Sequence, residues 1–477
     1  QLTPDSSIGK QHGQRRIKRS MHKKLVVAMV GLPARGKSYI VKMILRYMSF
    51  CKGVKGKLFN VGDYRRRHGL AGVSSKFFDG GNEEAMKARE NMAHAVLGEA
   101  LGWLQASDNN RLAVFDATNT TVRRRDMIKE KVSEVPLLSV MFIESICDDP
   151  VVLNRNYRLK LQNADYKNRD PEQALHDFLE RVRAYEAVYE PVEDSEAIGR
   201  ACYVKLYNVG NKVSTRNCSG FLQSCISYYL QNIHISPRRL WLCLPCETRA
   251  TQGAAKARAL RSRGMGGSGR LASGRAPSPV LTGYESDNPE WEVEITKEGR
   301  QFALDLCRFV STEISHGDRG DGDFDNDCVV HSAPDKRSAA TIEHLSFVCS
   351  VQETSLLRPL HYGDLSQMQP DEAEAEFADV LHARALDTLN FRYPGAGGES
   401  YLDVIQRLEP LIVELERQKR DIVVVASEEV AQCIYGYFTC AEREDIPKIT
   451  LEKHCIYELR PGPFNTDVEV IAPRSFF

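Results

Sequence analysis

Two glycines, a lysine and a serine at fixed spacing carry the first chemistry that this chain offers. Gly31, Leu32, Pro33, Ala34, Arg35, Gly36, Lys37 and Ser38 spell G-x-x-x-x-G-K-S, directly after the apolar run 25–30 and before a helix-like stretch that opens at Tyr39. Such a loop wraps a nucleoside triphosphate. Its backbone N–H groups and the following helix N-terminus meet the phosphates. Lys37 reaches the β- and γ-phosphates, and the Ser38 hydroxyl suits Mg²⁺. ATP or GTP is therefore the expected ligand. A second apolar strand, 111–115, ends in Asp116 and the turn Ala117, Thr118, Asn119, Thr120, Thr121. Ligands of α/β sheets sit at the carboxyl ends of strands, so Asp116 is expected near Lys37, holding the metal or its water. Arginines cluster around the same strand ends: Arg65 and Arg66, Arg89, and Arg123, Arg124 and Arg125. Guanidinium forks fit a phosphate dianion, which points to a phosphorylated acceptor.

Such residues need a sheet to hold them. From Lys23 to about Pro237, strand-like runs alternate with amphipathic helical ones, the pattern of an α/β domain with a mainly parallel sheet. Strands are expected at 24–30, 57–61, 111–115 and 138–143, with a kinase-type domain over 23–237. A second unit, 238–477, opens with the strand 240–243 and contains another at 422–425. Residues 1–22 are polar and basic (Lys10, Arg15, Arg16, Lys18, Arg19) and read as a flexible tail. The stretch 249–289 is rich in Gly, Ser, Ala, Arg and Pro and reads as a disordered insertion. Residues 317–327 alternate Asp and Gly; Asn326 replaces the turn glycine of a calcium loop, so an acidic solvated loop is expected.

The 477 residues are 42% hydrophobic and 27% charged, with 64 basic and 64 acidic side chains, so no global field recruits nucleic acid or a membrane. No apolar run approaches the roughly 18 residues of a membrane span, and no signal-peptide core is expected. Thirteen scattered cysteines fit a reducing, cytoplasmic setting. Cys243 and Cys246 have C-x-x-C spacing without a partner pair for a zinc site.

At this point the sequence resembles the bifunctional 6-phosphofructo-2-kinase/fructose-2,6-bisphosphatases. The motifs are GLPARGKSYI, FNVGDYRRR, FFDGGNEEAMKAR, FDATNTT, FIESICDDP, ADY, DFLERVRAYEAVYEP and ISYYLQNIHISPR, from about Lys24 to Arg238. The resemblance implies a homodimer that uses ATP with Mg²⁺ and fructose 6-phosphate to make fructose 2,6-bisphosphate. Carried over by position, Gly31 to Tyr39 would hold the nucleotide. Arg65, Arg89, Thr118, Arg124, Lys160, Arg181 and Tyr185 would hold the sugar phosphate. Asp116, Lys37 and Lys160 would be catalytic, and Ser38 and Asp116 would ligate the metal. Cys147 matches a cysteine beside the family's site. Between Pro150 and Lys160 the chain is one residue shorter than the family, with Arg155 where the family has Asn. Another small-molecule P-loop kinase, or a catalytically silent sugar-phosphate sensor or scaffold, are the competing readings.

The rear half resembles the histidine-phosphatase-like α/β domain of the same family through Arg392-Tyr393-Pro394, Gly398 to Tyr401 and Gln406 to Pro410. That chemistry needs an imidazole nucleophile, a second histidine and an acid. The Arg-His-Gly motif reads Leu244-Pro245-Cys246, the second histidine's triplet reads Ala426-Ser427-Glu428, and the acid's position is Pro359. An inactive phosphatase domain is expected. Cys246 lacks the anion loop of a cysteine phosphatase. Lys336, Arg337, Arg392 and Arg407 remain as residues that could bind a phosphorylated ligand.

Overall fold

A computed structural model describes residues 24–163, 165–166, 169–197, 201–233, 238–249, 294–315, 328–368, 376–462 and 465–472. The tail 1–22, the stretch 250–289 of the insertion and the acidic loop 317–327 lie outside the described residues. The chain divides into two compact units at 235/236.

The front unit is built on a six-stranded sheet of order β2-β3-β1-β4-β5-β6. β1 (Lys24–Val30) lies between β3 (Asn110–Asp116) and β4 (Leu138–Ile146), parallel to both. β2 (Lys55–Asn60) and β5 (Ala201–Tyr207) extend the parallel set, and β6 (Lys212–Arg216) closes one edge antiparallel. Residues 25–30 are wholly buried, as expected for a central strand covered on both faces. Each of the Leu, Val and Met side chains among them contributes about 1.5–3 kcal/mol of burial free energy. Helices α1 (Lys37–Phe50), α2 (Val61–Arg67), α3 (Glu83–Ala106), α4 (Val122–Ser133), α5 (Pro150–Leu161), α6 (Pro171–Glu186) and α7 (Phe221–Asn232) complete the described framework. The second strand runs 55–60 rather than 57–61. Val61 opens α2 because the Asn60 side chain accepts a hydrogen bond from Asp63 N and caps that helix.

The rear unit carries a second six-stranded sheet, β12-β11-β7-β10-β8-β9. β10 (Ile422–Val425) sits parallel between β7 (Leu240–Cys243) and β8 (Val329–Ser332), and β9 (Ser350–Glu353) continues the parallel set. β11 (Ile456–Pro461) and β12 (Thr466–Ile471) are antiparallel. Trp241, Phe302, Phe309, Val330 and Val423 form its core, partly from helix α8 (Lys297–Ser315). Helices α9 (Lys336–Ile342), α10 (Ala378–Leu386), α11 (Tyr401–Arg417) and α12 (Glu428–Thr439) follow. Among the described residues no helix is long and apolar enough to cross a membrane. None of the thirteen cysteines forms a disulfide.

Candidate active site

The loop after β1 bends through three residues at positive φ: Gly31 at 131°, Ala34 at 59° and Gly36 at 82°. Gly31 must lack a side chain, since a Cβ there would lie 2.5 Å from Ser145 O. Its N–H donates to Thr118 O at 2.9 Å, which pins the loop to the turn after β3. Asn156 Nδ2 on α5 donates to Ala34 O at 3.0 Å. The residue next to the Arg155 departure therefore holds the loop directly, while Arg155 itself is exposed.

Lys37 folds over this loop, with Nζ donating to Gly31 O at 2.8 Å and to Leu32 O at 2.5 Å. Burial pushes its ammonium down to about 7. Asp116 opposes that shift, while Lys160, Arg35 and Arg181 add to it. Lys160 is lowered as well, by burial first, and Asp116 again opposes. Lys37, Asp116, Lys160, Arg35 and Arg181 thus share one electrostatic neighbourhood. Asp116 is nearly buried at the end of β3. Its Oδ2 accepts from Ser38 Oγ at 3.0 Å and from Asn60 Nδ2 at 2.7 Å. One carboxylate and one hydroxyl at hydrogen-bond distance are the protein donors that Mg²⁺ takes when phosphates and water fill its other positions. The residues fit that ion. Among the described residues no set of three His, Cys, Asp or Glu side chains forms a denser metal centre.

The expected acceptor residues come from several elements. Arg65 Nη2 on α2 pairs with Asp165 Oδ2 at 2.6 Å. Asp165 Oδ1 also accepts from Gly72 N, at 3.0 Å. Arg89 on α3 donates to Phe78 O at 3.2 Å. Burial lowers the pKa of Arg124 on α4, which shares its surroundings with Glu90, Tyr185, Arg89 and Arg123. Arg181 and Tyr185 lie on α6, and Thr118 is half-buried beside the loop.

The structure separates the arginine clusters that look uniform in sequence. Arg66 is held by Asp63 and by Asp165 at 3.2 Å. Arg123 is exposed, 3.8 Å from Glu90. Arg125 is fully buried and grips Glu196 through Nε at 2.6 Å and Nη2 at 2.9 Å, with Nη1 on Asn119 O at 3.1 Å. It braces the turn after Asp116 rather than facing a ligand. Asn60, Phe78, Asn156 and Asp165 were not singled out from the sequence, although Asn60, Phe78 and Asp165 lie within the motifs FNVGDYRRR, FFDGGNEEAMKAR and ADY. Asn60 had a further signal, as a polar cap between a strand and an arginine-bearing helix. Burial raises the Cys147 pKa and keeps it a thiol.

In the rear unit Cys246 is buried, its Sγ 3.0 Å from Gly299 O, and burial raises its pKa. Ser427 takes the N-cap of α12 and is buried with no hydrogen-bond partner for Oγ. Nearby, burial raises the pKa of Glu429, whose Oε1 accepts from Tyr362 OH at 2.8 Å. Arg358 and Arg407 both bind Glu399, at 2.7 and 3.0 Å, and Arg407 Nη2 also donates to Pro359 O at 3.1 Å. Arg392 pairs with Asp403, and Arg337 Nε donates to Cys246 O at 3.1 Å. The three arginines read as possible ligand-binding groups are thus engaged within the protein, and Lys336 is exposed. His361 Nδ1 accepts from Gly363 N at 3.0 Å on its own loop.

Comparison with known proteins agrees with this two-part organisation. The sequence model of 6-phosphofructo-2-kinase matches residues 12–237, and that of the histidine phosphatase superfamily (branch 1) matches 315–472. A probable 6-phosphofructo-2-kinase of Schizosaccharomyces pombe is 35% identical over 93% of this chain and 69% of its own length. The 6-phosphofructo-2-kinase 1 of Saccharomyces cerevisiae is 33% identical over 92% of this chain, which spans about half (51%) of that protein. Human 6-phosphofructo-2-kinase/fructose-2,6-bisphosphatase 3 is 33% identical over 94% of this chain and 76% of its own length. The chain belongs to the 6-phosphofructo-2-kinase/fructose-2,6-bisphosphatase family, with the kinase domain in its front half.

Proposed function

We propose that this chain transfers the γ-phosphoryl group of ATP to the 2-hydroxyl of fructose 6-phosphate, giving fructose 2,6-bisphosphate, and that its rear domain hydrolyses nothing. The observation that carries the kinase half is the Ser38–Asp116 contact of 3.0 Å, which joins the phosphate loop to the acidic strand end beside Lys37 and Lys160. The loop from Gly31 to Tyr39 binds and orients the nucleotide. Arg65, Arg89, Thr118, Arg124, Lys160, Arg181 and Tyr185 bind the sugar phosphate and aim its hydroxyl. Ser38 and Asp116 would hold Mg²⁺, which would supply neutralising charge on the phosphates. Lys37 and Lys160 stabilise the charge that builds on the moving group, so positioning and electrostatics carry the rate. Asp116 Oδ2 already accepts two hydrogen bonds, and a carboxylate that also holds Mg²⁺ has its lone pairs committed to donors and metal rather than to the sugar hydroxyl. Its charge, rather than its basicity, is its role.

The silent rear domain is supported by Pro245 and Ser427 at the positions of the two imidazoles and by Pro359 at the acid's. Proline has no side-chain nucleophile or titrating proton, and a serine hydroxyl does not titrate near neutrality as imidazole does. Thirteen cysteines without a disulfide support a reducing, cytoplasmic setting, and family resemblance supports a homodimer. A coupled assay with ATP and fructose 6-phosphate tests the kinase. Turnover that falls at least about a hundredfold in Lys37→Met supports it, whereas sugar-phosphate binding without turnover in the unaltered protein favours a sensor.

A further inference from the structure

We propose that Phe78 is the positioning residue of the acceptor site, a buried ring that sets the arginines and tyrosine which grip the sugar phosphate. The inference rests on the acceptor site proposed above. Phe78 ends a short 3-10 turn, Ser75–Phe78, and is 4% exposed. The Arg181 guanidinium carbon lies 3.9 Å from the ring centroid, and that of Arg65 lies 5.7 Å away. The Tyr185 ring is centred 5.8 Å away. The Phe78 backbone carbonyl accepts from Arg89 Nη1 at 3.2 Å. One residue therefore touches four acceptor groups that arrive from α2, α3 and α6.

Physical chemistry explains why an aromatic side chain stands there. Arg65 has Asp165 as its counter-charge, but among the described residues Arg181 has no carboxylate within salt-bridge distance. Its Nε is buried without a hydrogen-bond partner, a donor left for an incoming acceptor. A carboxylate in place of the ring would hold Arg181 but would repel the phosphate dianion. The negative π face holds the cation in place and leaves its charge for the ligand. An aliphatic side chain would fill the volume without that field.

The test is steady-state kinetics of the full chain with phenylalanine analogues carrying one, two and three ring fluorines at position 78, beside Phe78→Leu. Fluorine keeps the shape and drains the π face. The expected result is a stepwise rise in the KM for fructose 6-phosphate, reaching about tenfold in Phe78→Leu, with the KM for ATP within about twofold and kcat within about threefold. A KM for fructose 6-phosphate that is flat across the fluorine series overturns the proposal, as does an equal rise in both KM values. Loss of folding in Phe78→Leu leaves the fluorine series to decide. Absence of fructose 6-phosphate turnover in the unaltered chain removes the functional reading itself, an outcome distinct from an active enzyme that ignores fluorine.

Discussion

Asn60 and Asp116, 56 residues apart in sequence, meet through a 2.7 Å hydrogen bond from the amide Nδ2 to carboxylate Oδ2. The other end of the same amide, Oδ1, accepts from Asp63 N at 2.8 Å and starts α2. One side chain thus couples the carboxylate proposed for the metal to the helix that carries Arg65. A substitution can separate its two roles. Asn60→Asp keeps an acceptor for the helix cap but loses the donor, and puts a second carboxylate against the first. We expect kcat to fall about 10- to 100-fold with little change in urea unfolding. Asn60→Ala should lose similar activity and about 1 kcal/mol of stability besides. Unchanged kcat in both variants would detach Asn60 from the chemistry.

The depressed ammonium of Lys37 has a measurable consequence. Its folded-state value, about 7, lies below the ordinary 10.5, so between these values the unfolded chain holds more protons. Stability from this group therefore rises with pH across that window, and below pH 7 the cost of burying the charge is felt in full. Triphosphate binding favours the charged form, so the complex should take up a proton at pH 8. Calorimetry in buffers of different ionisation enthalpy should detect that uptake and find it absent in Lys37→Met. The same variant should lose about a hundredfold to a thousandfold in kcat.

Arg125 and Glu196 form a buried bidentate pair that also ties down Asn119 O, in the turn after Asp116. Arg125→Ala strands a buried carboxylate. We expect a loss of about 3–5 kcal/mol in the front unit, read by denaturant unfolding. A cost under 1 kcal/mol would contradict the assignment.

Glu429 makes the opposite kind of prediction. Burial raises its folded-state pKa, so from the unfolded value of 4.5 upward its contribution is lost progressively as pH rises. Glu429→Gln keeps an oxygen for the Tyr362 hydroxyl and removes the titration. The rear unit should melt about 2–4 °C higher at pH 7.5, with a flatter pH profile by scanning calorimetry. A lower melting temperature at that pH would show that the buried carboxylate is stabilising.

Much of the front half was legible because its signals are local. A wholly apolar β1, glycines in a tight loop and an acidic strand end fix both fold and nucleotide chemistry over short spans. The arginines were harder. On a helix, successive side chains point about 100° apart, so Arg123, Arg124 and Arg125 look alike in sequence yet face solvent, the surroundings of Arg89 and Tyr185, and the interior. Phe78 gave no signal of its own, because its partners Arg65, Arg89 and Arg181 are brought to it only by the fold. In the rear unit, the missing histidines at 245 and 427 could be read directly. The shared grip of Arg358 and Arg407 on Glu399 could not, since it joins residues far apart in sequence through a loop and a helix.

The most direct measurement is one time course on the purified protein, supplying ATP and fructose 6-phosphate in one arm and fructose 2,6-bisphosphate labelled at the 2-phosphate in the other. The account predicts linear accumulation of fructose 2,6-bisphosphate in the first arm. In the second it predicts phosphate release equal to a protein-free blank and no acid-labile phosphohistidine. Release above the blank, or a first arm that makes no bisphosphate, would contradict it.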